Sequence, residues 1–184
     1  YLLPPLVGKF IRRFPEVRIS ITHGDTQSII DDVLEGRVEF GVVGALSPEP
    51  HLHQEPVFED EMGLIVPSGH PWASRSMVAL DELAAEPFIV RESGSGTLQS
   101  VREEIGRKKY RFEAFHIVAE MGSTAAVVQG ILGGAGVSIV SKVAVAESLA
   151  MGSLVSLDVE GLNLKRWFYL TRHSERSLSP LGLK

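Results

Sequence analysis

The residues of this chain best suited to chemistry sit in polar turns, each placed between an apolar run and a helical one. The fullest is Arg91-Glu92-Ser93-Gly94-Ser95-Gly96-Thr97, which follows Phe88-Ile89-Val90 and precedes a helical pattern over residues 98–109. Gly94 and Gly96 let the backbone turn sharply, and Ser95 and Thr97 are residue types whose oxygens cap the first free N–H groups of a helix. A helix that opens this way presents unpaired N–H groups and the positive end of its dipole, so it attracts a carboxylate, sulfate or phosphate. An ordinary N-cap uses the same residues, so repetition carries the weight. Gly24-Asp25-Thr26, Met121-Gly122-Ser123-Thr124 and Ser141 repeat the arrangement after the strand-like residues 17–22, 115–119 and 137–140. At the carboxyl ends of strands in a doubly wound sheet, such turns lie where these folds bind ligands.

Other candidates are weaker. Arg91 can grip an anion through two parallel N–H groups, although an arginine at a strand end more often makes a structural ion pair. His51-Leu52-His53 could present two imidazoles to a metal from an extended loop, but no third ligand stands nearby, which favours a solvated loop. Asp31 and Asp32 are adjacent, so on a helix they point in different directions and cannot act as a close carboxylate pair. The chain has no Gly-x-Ser-x-Gly elbow, no thiol and no histidine-glutamate zinc signature. The glycines of Gly133-Gly134-Ala135-Gly136 miss the spacing of a dinucleotide or phosphate loop and read as helix-terminating turns. No metal or cofactor is called for.

The elements that must position these turns follow from periodicity. Leu3, Leu6, Val7, Phe10, Ile11 and Phe14 recur at helical spacing, with Pro15 as the stop; the chain thus opens on a helix, and a preceding strand is expected upstream. Strands are expected at 17–22, 40–43, 60–66, 88–90, 115–119, 137–140, 154–157 and 166–171, and helices at 28–35, 80–85, 98–109, 125–132 and 142–150. Alternating strand and helix predicts parallel α/β sheets with right-handed crossovers. The rhythm breaks at Pro67-Ser68-Gly69-His70-Pro71, and the strong run Arg166-Trp167-Phe168-Tyr169-Leu170-Thr171 has no helix after it. The expected organisation is therefore lobe I from residues 1–66 plus 159–184 and lobe II from residues 67–158, joined by two strand crossings around a cleft.

Composition bounds what such a cleft can serve. The 184 residues can bury a core in each of two small lobes, and a net charge of −5 with acids and bases well mixed leaves no basic footprint for nucleic acid. The absence of cysteine fits a reducing cytoplasm, no apolar run approaches the roughly 20 residues of a membrane span, and no signal peptide opens the chain.

Several motifs occur together in one order: Tyr1-Leu2-Leu3-Pro4-Pro5-Leu6, Phe14-Pro15-Glu16-Val17, Glu35-Gly36-Arg37-Val38-Glu39-Phe40-Gly41-Val42-Val43, Val66-Pro67-Ser68-Gly69-His70-Pro71, the Arg91 to Thr97 turn, and Gly133-Gly134-Ala135-Gly136-Val137-Ser138-Ile139. Jointly they resemble the effector-binding domain of LysR-type transcriptional regulators over nearly the whole chain. The resemblance implies an α/β fold of two Rossmann-like lobes, like a type 2 periplasmic binding protein. It also implies a small-molecule effector in the cleft, dimers that assemble into tetramers in the full-length protein, and DNA contact only through a helix-turn-helix upstream of Tyr1. The family's usual strand and Ser/Thr turn before the first helix, and a longer helix after Leu178-Ser179-Pro180, do not match here. Carried over by position, the effector site comprises Gly24, Asp25 and Thr26, Gly44 with Ala45 and Leu46 as a wall, Ser95, Gly96, Thr97, Ser123 and Thr124; Arg91 joins this set as the anion-gripping candidate described above. Thr26, Thr97 and Thr124 lead that set. Hydroxyl and N–H donors without a lysine cluster favour a small anionic metabolite. Two other readings use the same cleft: a free-standing solute-binding protein of a transporter, and, since fold does not fix function, an enzyme.

Overall fold

The strand β2, Leu52–Pro67, is the spine of the molecule, and at about 3.3 Å per residue it runs about 50 Å. The computed structural model describes residues 3–182; Tyr1 and Leu2 of the first motif, and residues 183 and 184, lie outside the described residues. Along its first part, from Leu52 to Glu61, β2 pairs antiparallel with β8, Lys165–His173, with a bulge between Pro56 and Phe58. Proline has no N–H to give the ladder, which suits it to an irregular position. From Met62 onward β2 pairs antiparallel with β6 (Ser138–Ser141) and, from Leu64, also with β7 (Leu154–Val159). β2 thus enters one lobe's sheet and leaves in the other's. The chain returns between β7 and β8, where Met62 N–H donates to Leu164 O at 2.8 Å.

The sequence along β2 changes where its partners change. Its first part is largely exposed, whereas Met62 through Val66 are buried without a break. Leu64 and Val66 join one apolar cluster, with Val78, Leu83, Val90, Leu98, Val101, Ile105 and Leu157. Ile65, facing the opposite way, joins another with Ile89, Val127, Ile131, Val140 and Leu154. Successive side chains of a strand point to opposite faces, so a continuous apolar run feeds two cores at once. β4 (Phe88–Arg91) divides in the same way, pairing parallel with β5 (Ile117–Met121).

The remaining elements are β1 (Gly41–Val43), which pairs antiparallel with β8, and β3 (Met77–Val78), parallel to β7. The helices are α1 (Leu3–Arg13), α2 (Thr26–Glu35), α3 (Leu80–Ala85), α4 (Gly96–Arg107), α5 (Thr124–Leu132) and α6 (Ala146–Ala150). α2 ends at Gly36, whose φ of 76° is left-handed and natural for glycine; its N–H reaches Asp32 O and Val33 O.

The structure corrects the sequence reading in several places. The strand expected over 60–66 is only the latter part of β2, which already begins at Leu52 because β8 is there to pair with it. The helix expected over 142–150 is a 3-10 turn at Lys142–Val145 followed by α6. Residues 17–22 form no strand, because no described strand lies beside them to take their N–H and C=O groups. The sheets are not purely parallel. A chain that leaves a lobe on β2 and comes back on β8 must run in opposite directions along the two, and their pairing is antiparallel. The strand expected from Phe115 starts instead at Ile117, since Phe115 is drawn into an aromatic cluster, stacked on Phe112 at 5.3 Å and edge-on to Phe88 at 5.3 Å.

Candidate functional site

Three of the polar turns cap helices. The Asp25 carboxylate accepts the Ser28 N–H at 2.9 Å at the start of α2. Ser95 Oγ accepts the Thr97 N–H at 3.2 Å at the start of α4, so Thr97 is the capped residue and not itself a cap. Ser123 Oγ accepts the Ala126 N–H at 3.1 Å at the start of α5. Each cap is local, a side-chain oxygen meeting an N–H two or three residues on.

The tertiary fold brings the first two of these ends together. Gln27 N–H donates to Gly94 O at 3.4 Å, linking the α2 and α4 turns. A Cβ on Gly96 would lie 2.6 Å from Thr26 Oγ1 and 2.9 Å from the Gly44 carbonyl carbon, and one on Gly94 2.7 Å from Asp25 Oδ1. The glycines of the Gly94-Ser95-Gly96 turn therefore permit a close approach of backbone, as well as a tight bend. Asp25, Thr26, Gly44, Gly94, Ser95 and Gly96 form one locus. Thr124 is tied to Arg91, whose Nη1 donates to Thr124 Oγ1 at 2.6 Å, while the Ser123 side chain is engaged at the start of α5.

Two arginines organise the charge. Arg91, buried at the end of β4, makes a bidentate pair with its own neighbour: Nε to Glu92 Oε2 at 2.7 Å and Nη2 to Glu92 Oε1 at 2.5 Å. Burial works to raise the Glu92 pKa, but the Arg91 hydrogen bonds, a backbone hydrogen bond at Glu92 and the Arg91 charge together outweigh it and hold the carboxyl below its ordinary value. Arg166 on β8 is the residue that sequence reasoning missed. Its Nε donates to Asp60 Oδ2 at 2.9 Å, its Nη1 to Thr97 Oγ1 at 3.0 Å, and its guanidinium lies 4.7 Å from the centre of the Phe168 ring. Asp60 is fully buried and accepts a second bond from Ser141 Oγ at 2.6 Å, which gives the serine of the fourth turn a partner in the wall of the site. The signal for Asp60 and Arg166 lay in two charges flanking apolar runs. That they face one another depends on the β2–β8 register, in which Asp60 opposes Arg166.

A void of about 10 Å³, room for about one water, lies beside Arg91 and Thr97 and is otherwise lined mainly by core side chains such as Val90, Leu98 and Val101. A roomier hollow of about 340 Å³ lies between the end of α2 and residues 173–178, lined by Glu35, Glu39, His173 and Arg176 among others. None of the predicted site residues lines it, so size alone does not mark it as the site. His51 stacks on His173 with ring centres 6.0 Å apart and faces Glu175 at 3.7 Å, and no cluster suited to a metal occurs among the described residues. No described helix is long and apolar enough to cross a membrane.

The arrangement offers hydroxyl, N–H and guanidinium donors around a junction of two lobes, which is binding chemistry. The chain matches the family described as LysR substrate binding domain over residues 1–182. It is 29% identical over 179 residues to the HTH-type transcriptional activator CmpR of Synechocystis, spanning 97% of this chain and 58% of that protein. It is also 29% identical over 186 residues to the HTH-type transcriptional regulator CbbR of Cereibacter sphaeroides, spanning 100% of this chain and 59% of that one. The chain thus spans just under three fifths of the length of these relatives. Among solved structures, the regulatory domain of Synechocystis CcmR in complex with 2-PG superposes with a TM-score of 0.89 at 27% identity, covering 100% of this chain and 86% of that one. The effector-binding domain of QuiR in complex with shikimate superposes with a TM-score of 0.87 at 22% identity, over 100% and 86% of the two chains, a likeness of fold.

Proposed function

Because the chain belongs to the LysR substrate-binding domain family, we propose that it is the ligand-sensing part of a transcriptional regulator and binds a small anionic effector between its lobes. The observation that carries this reading is the meeting of the α2 and α4 N-termini across the two lobes, with Thr26, Gly44 and Gly96 in close approach. Effector contacts fall to Asp25, Thr26, Gly44, Arg91, Ser95, Gly96, Thr97, Ser123 and Thr124. Lobe I comprises residues 1–66 and 159–184, lobe II residues 67–158, and a change in their relative angle is the signal passed on. DNA contact belongs to a segment outside this chain; the relatives' designation as HTH-type regulators supports that division. The work is done in the cytoplasm, without cofactor, metal, membrane or catalysis.

Association follows from α1, which buries none of its residues although its stripe of Leu3, Leu6 and Phe10 is apolar, with Leu6 52% exposed. A homodimer covering that stripe, and a tetramer in the full-length protein, account for it. The effector reading is tested by calorimetry with small acids on the wild type and on Thr97→Val, which keeps the shape and loses the hydroxyl. A charge-assisted contact makes the expected loss of affinity about tenfold or more. Unchanged affinity in the variant, or binding only of uncharged compounds, refutes it.

A further inference from the structure

Resting on that reading, we infer that Arg166 is the residue that selects the effector's acidic group, with Asp60 and Ser141 holding it in position. The two buried guanidiniums share a pattern. Arg91 Nη1 donates to Thr124 Oγ1 and Arg166 Nη1 donates to Thr97 Oγ1, each cation turning one edge to a neutral hydroxyl. A hydroxyl oxygen is a weak acceptor for a guanidinium, and the oxygen of a carboxylate or phosphate on the same edge makes a shorter and stronger bond. Each threonine oxygen thus stands where an acid oxygen of the effector comes to rest.

The two arginines differ in how well the remainder of their charge is met. Arg91 spends Nε and Nη2 on both oxygens of Glu92, a complete bidentate pair. Arg166 has a single bond to Asp60, and that carboxylate divides itself between Arg166 and Ser141. The Arg166 side chain is only 9% exposed. Burial lowers its pKa most, Asp60 works in the opposite direction, and repulsion from Arg91 lowers it further, to a net value below that of an ordinary arginine. A second negative group beside Arg166 relieves both the burial and the repulsion, whereas a neutral ligand relieves neither. The acids already present do not fill that role. Glu92 is held by Arg91, Asp60 by Arg166 and Ser141, and Asp25 by the Ser28 N–H at the head of α2.

Arg166 also joins elements that move apart when the cleft opens. It lies on β8, packs over Phe168 and presses close to Gly44, yet its Nη1 reaches Thr97 on α4. At 3.0 Å the Arg166–Thr97 bond leaves no space between the two groups, so an acid oxygen reaches that edge of the guanidinium only as the bond is given up. The Arg166–Thr97 bond ties β8 to α4, and the effector's acid replaces it while the Thr97 hydroxyl turns to donate to the same group.

The test is calorimetry on this chain with 2-PG, inorganic phosphate, shikimate and the methyl ester of shikimate as probes. The proteins are wild type, Arg166→Lys and the double variant Arg166→Gln with Asp60→Asn, which removes both charges so that neither is left buried alone. Circular dichroism and thermal melting establish that each variant is folded. The wild type is expected to bind at least one acid and not the ester, Arg166→Lys to bind it more weakly, and the double variant to lose about tenfold or more. A folded double variant or lysine variant that holds the acid within about threefold of wild type overturns the assignment of Arg166 and leaves the anionic effector standing. A wild type that binds none of the acids, or binds the ester equally well, overturns the anionic effector itself.

Discussion

Replacing Gly96 by alanine tests whether the two lobes meet through this residue. Gly96 is the first residue of α4, where alanine is at least as good a helix former, and its φ is not in the region reserved for glycine, so lobe II itself loses nothing. The added methyl meets the other lobe. Its Cβ falls 2.6 Å from Thr26 Oγ1, which can rotate away, and 2.9 Å from the Gly44 carbonyl carbon, which is backbone and cannot. Overpacking of this kind costs about 1–3 kcal/mol wherever Gly96 lies against Gly44, so the ratio of molecules with the two parted to those with the two in contact should rise roughly fivefold to a hundredfold. Two measurements read this without any ligand. The radius of gyration from small-angle scattering should increase, and the Gln27 amide, which donates to Gly94 O across the junction, should exchange with solvent faster. The thermal midpoint should stay close to that of the wild type. Gly69→Ala is the control, since a Cβ there has nothing within 4 Å. Unchanged scattering and unchanged Gln27 exchange in Gly96→Ala would refute the close approach as the feature that defines the cleft.

Asp60→Ala leaves the buried Arg166 without its counter-charge and is expected to destabilise the chain by about 3–5 kcal/mol in urea denaturation; a loss below about 1 kcal/mol would show that water reaches the guanidinium. Glu82, hydrogen-bonded to Arg75 and then to the Ala79 N–H, has its pKa lowered from the ordinary 4.5 to about 2. A lowered carboxyl stabilises the fold above its unfolded pKa and stops doing so as pH falls through its folded one. The difference in melting temperature between wild type and Glu82→Gln should therefore be full above pH 4.5 and close to zero by about pH 2, and a difference independent of pH would count against the pair. Leu6→Glu places a charge in the exposed stripe of α1; sedimentation at tens of micromolar, a range in which specific interfaces are usually occupied, should show a dimer for the wild type and a monomer for the variant. A wild type that sediments as a monomer removes the argument for that interface.

What the sequence determined by itself is short in range. Asp25, Ser95 and Ser123 cap their helices because a side-chain oxygen reaches an N–H two or three residues ahead, and residue type with its immediate neighbours decides that. The spans of α3 and α5, the strand at Phe88 and the stop at Gly36 follow from periodicity and backbone preference in the same way. The linked motifs from Tyr1 to Ile139 carried the family, and with it the fold. Tertiary structure alone decided the pairings across distance. Residues 17–22 look like a strand, but a strand exists only beside a partner, and local sequence does not say whether one stands there. β2 serves two sheets because β8 comes back alongside its first part, and the same register sets Arg166 against Asp60, 106 residues away in the chain. A period of two tells which face a side chain takes but not which residue it meets, so the buried arginine at the junction of the lobes became visible only once the strands were laid side by side.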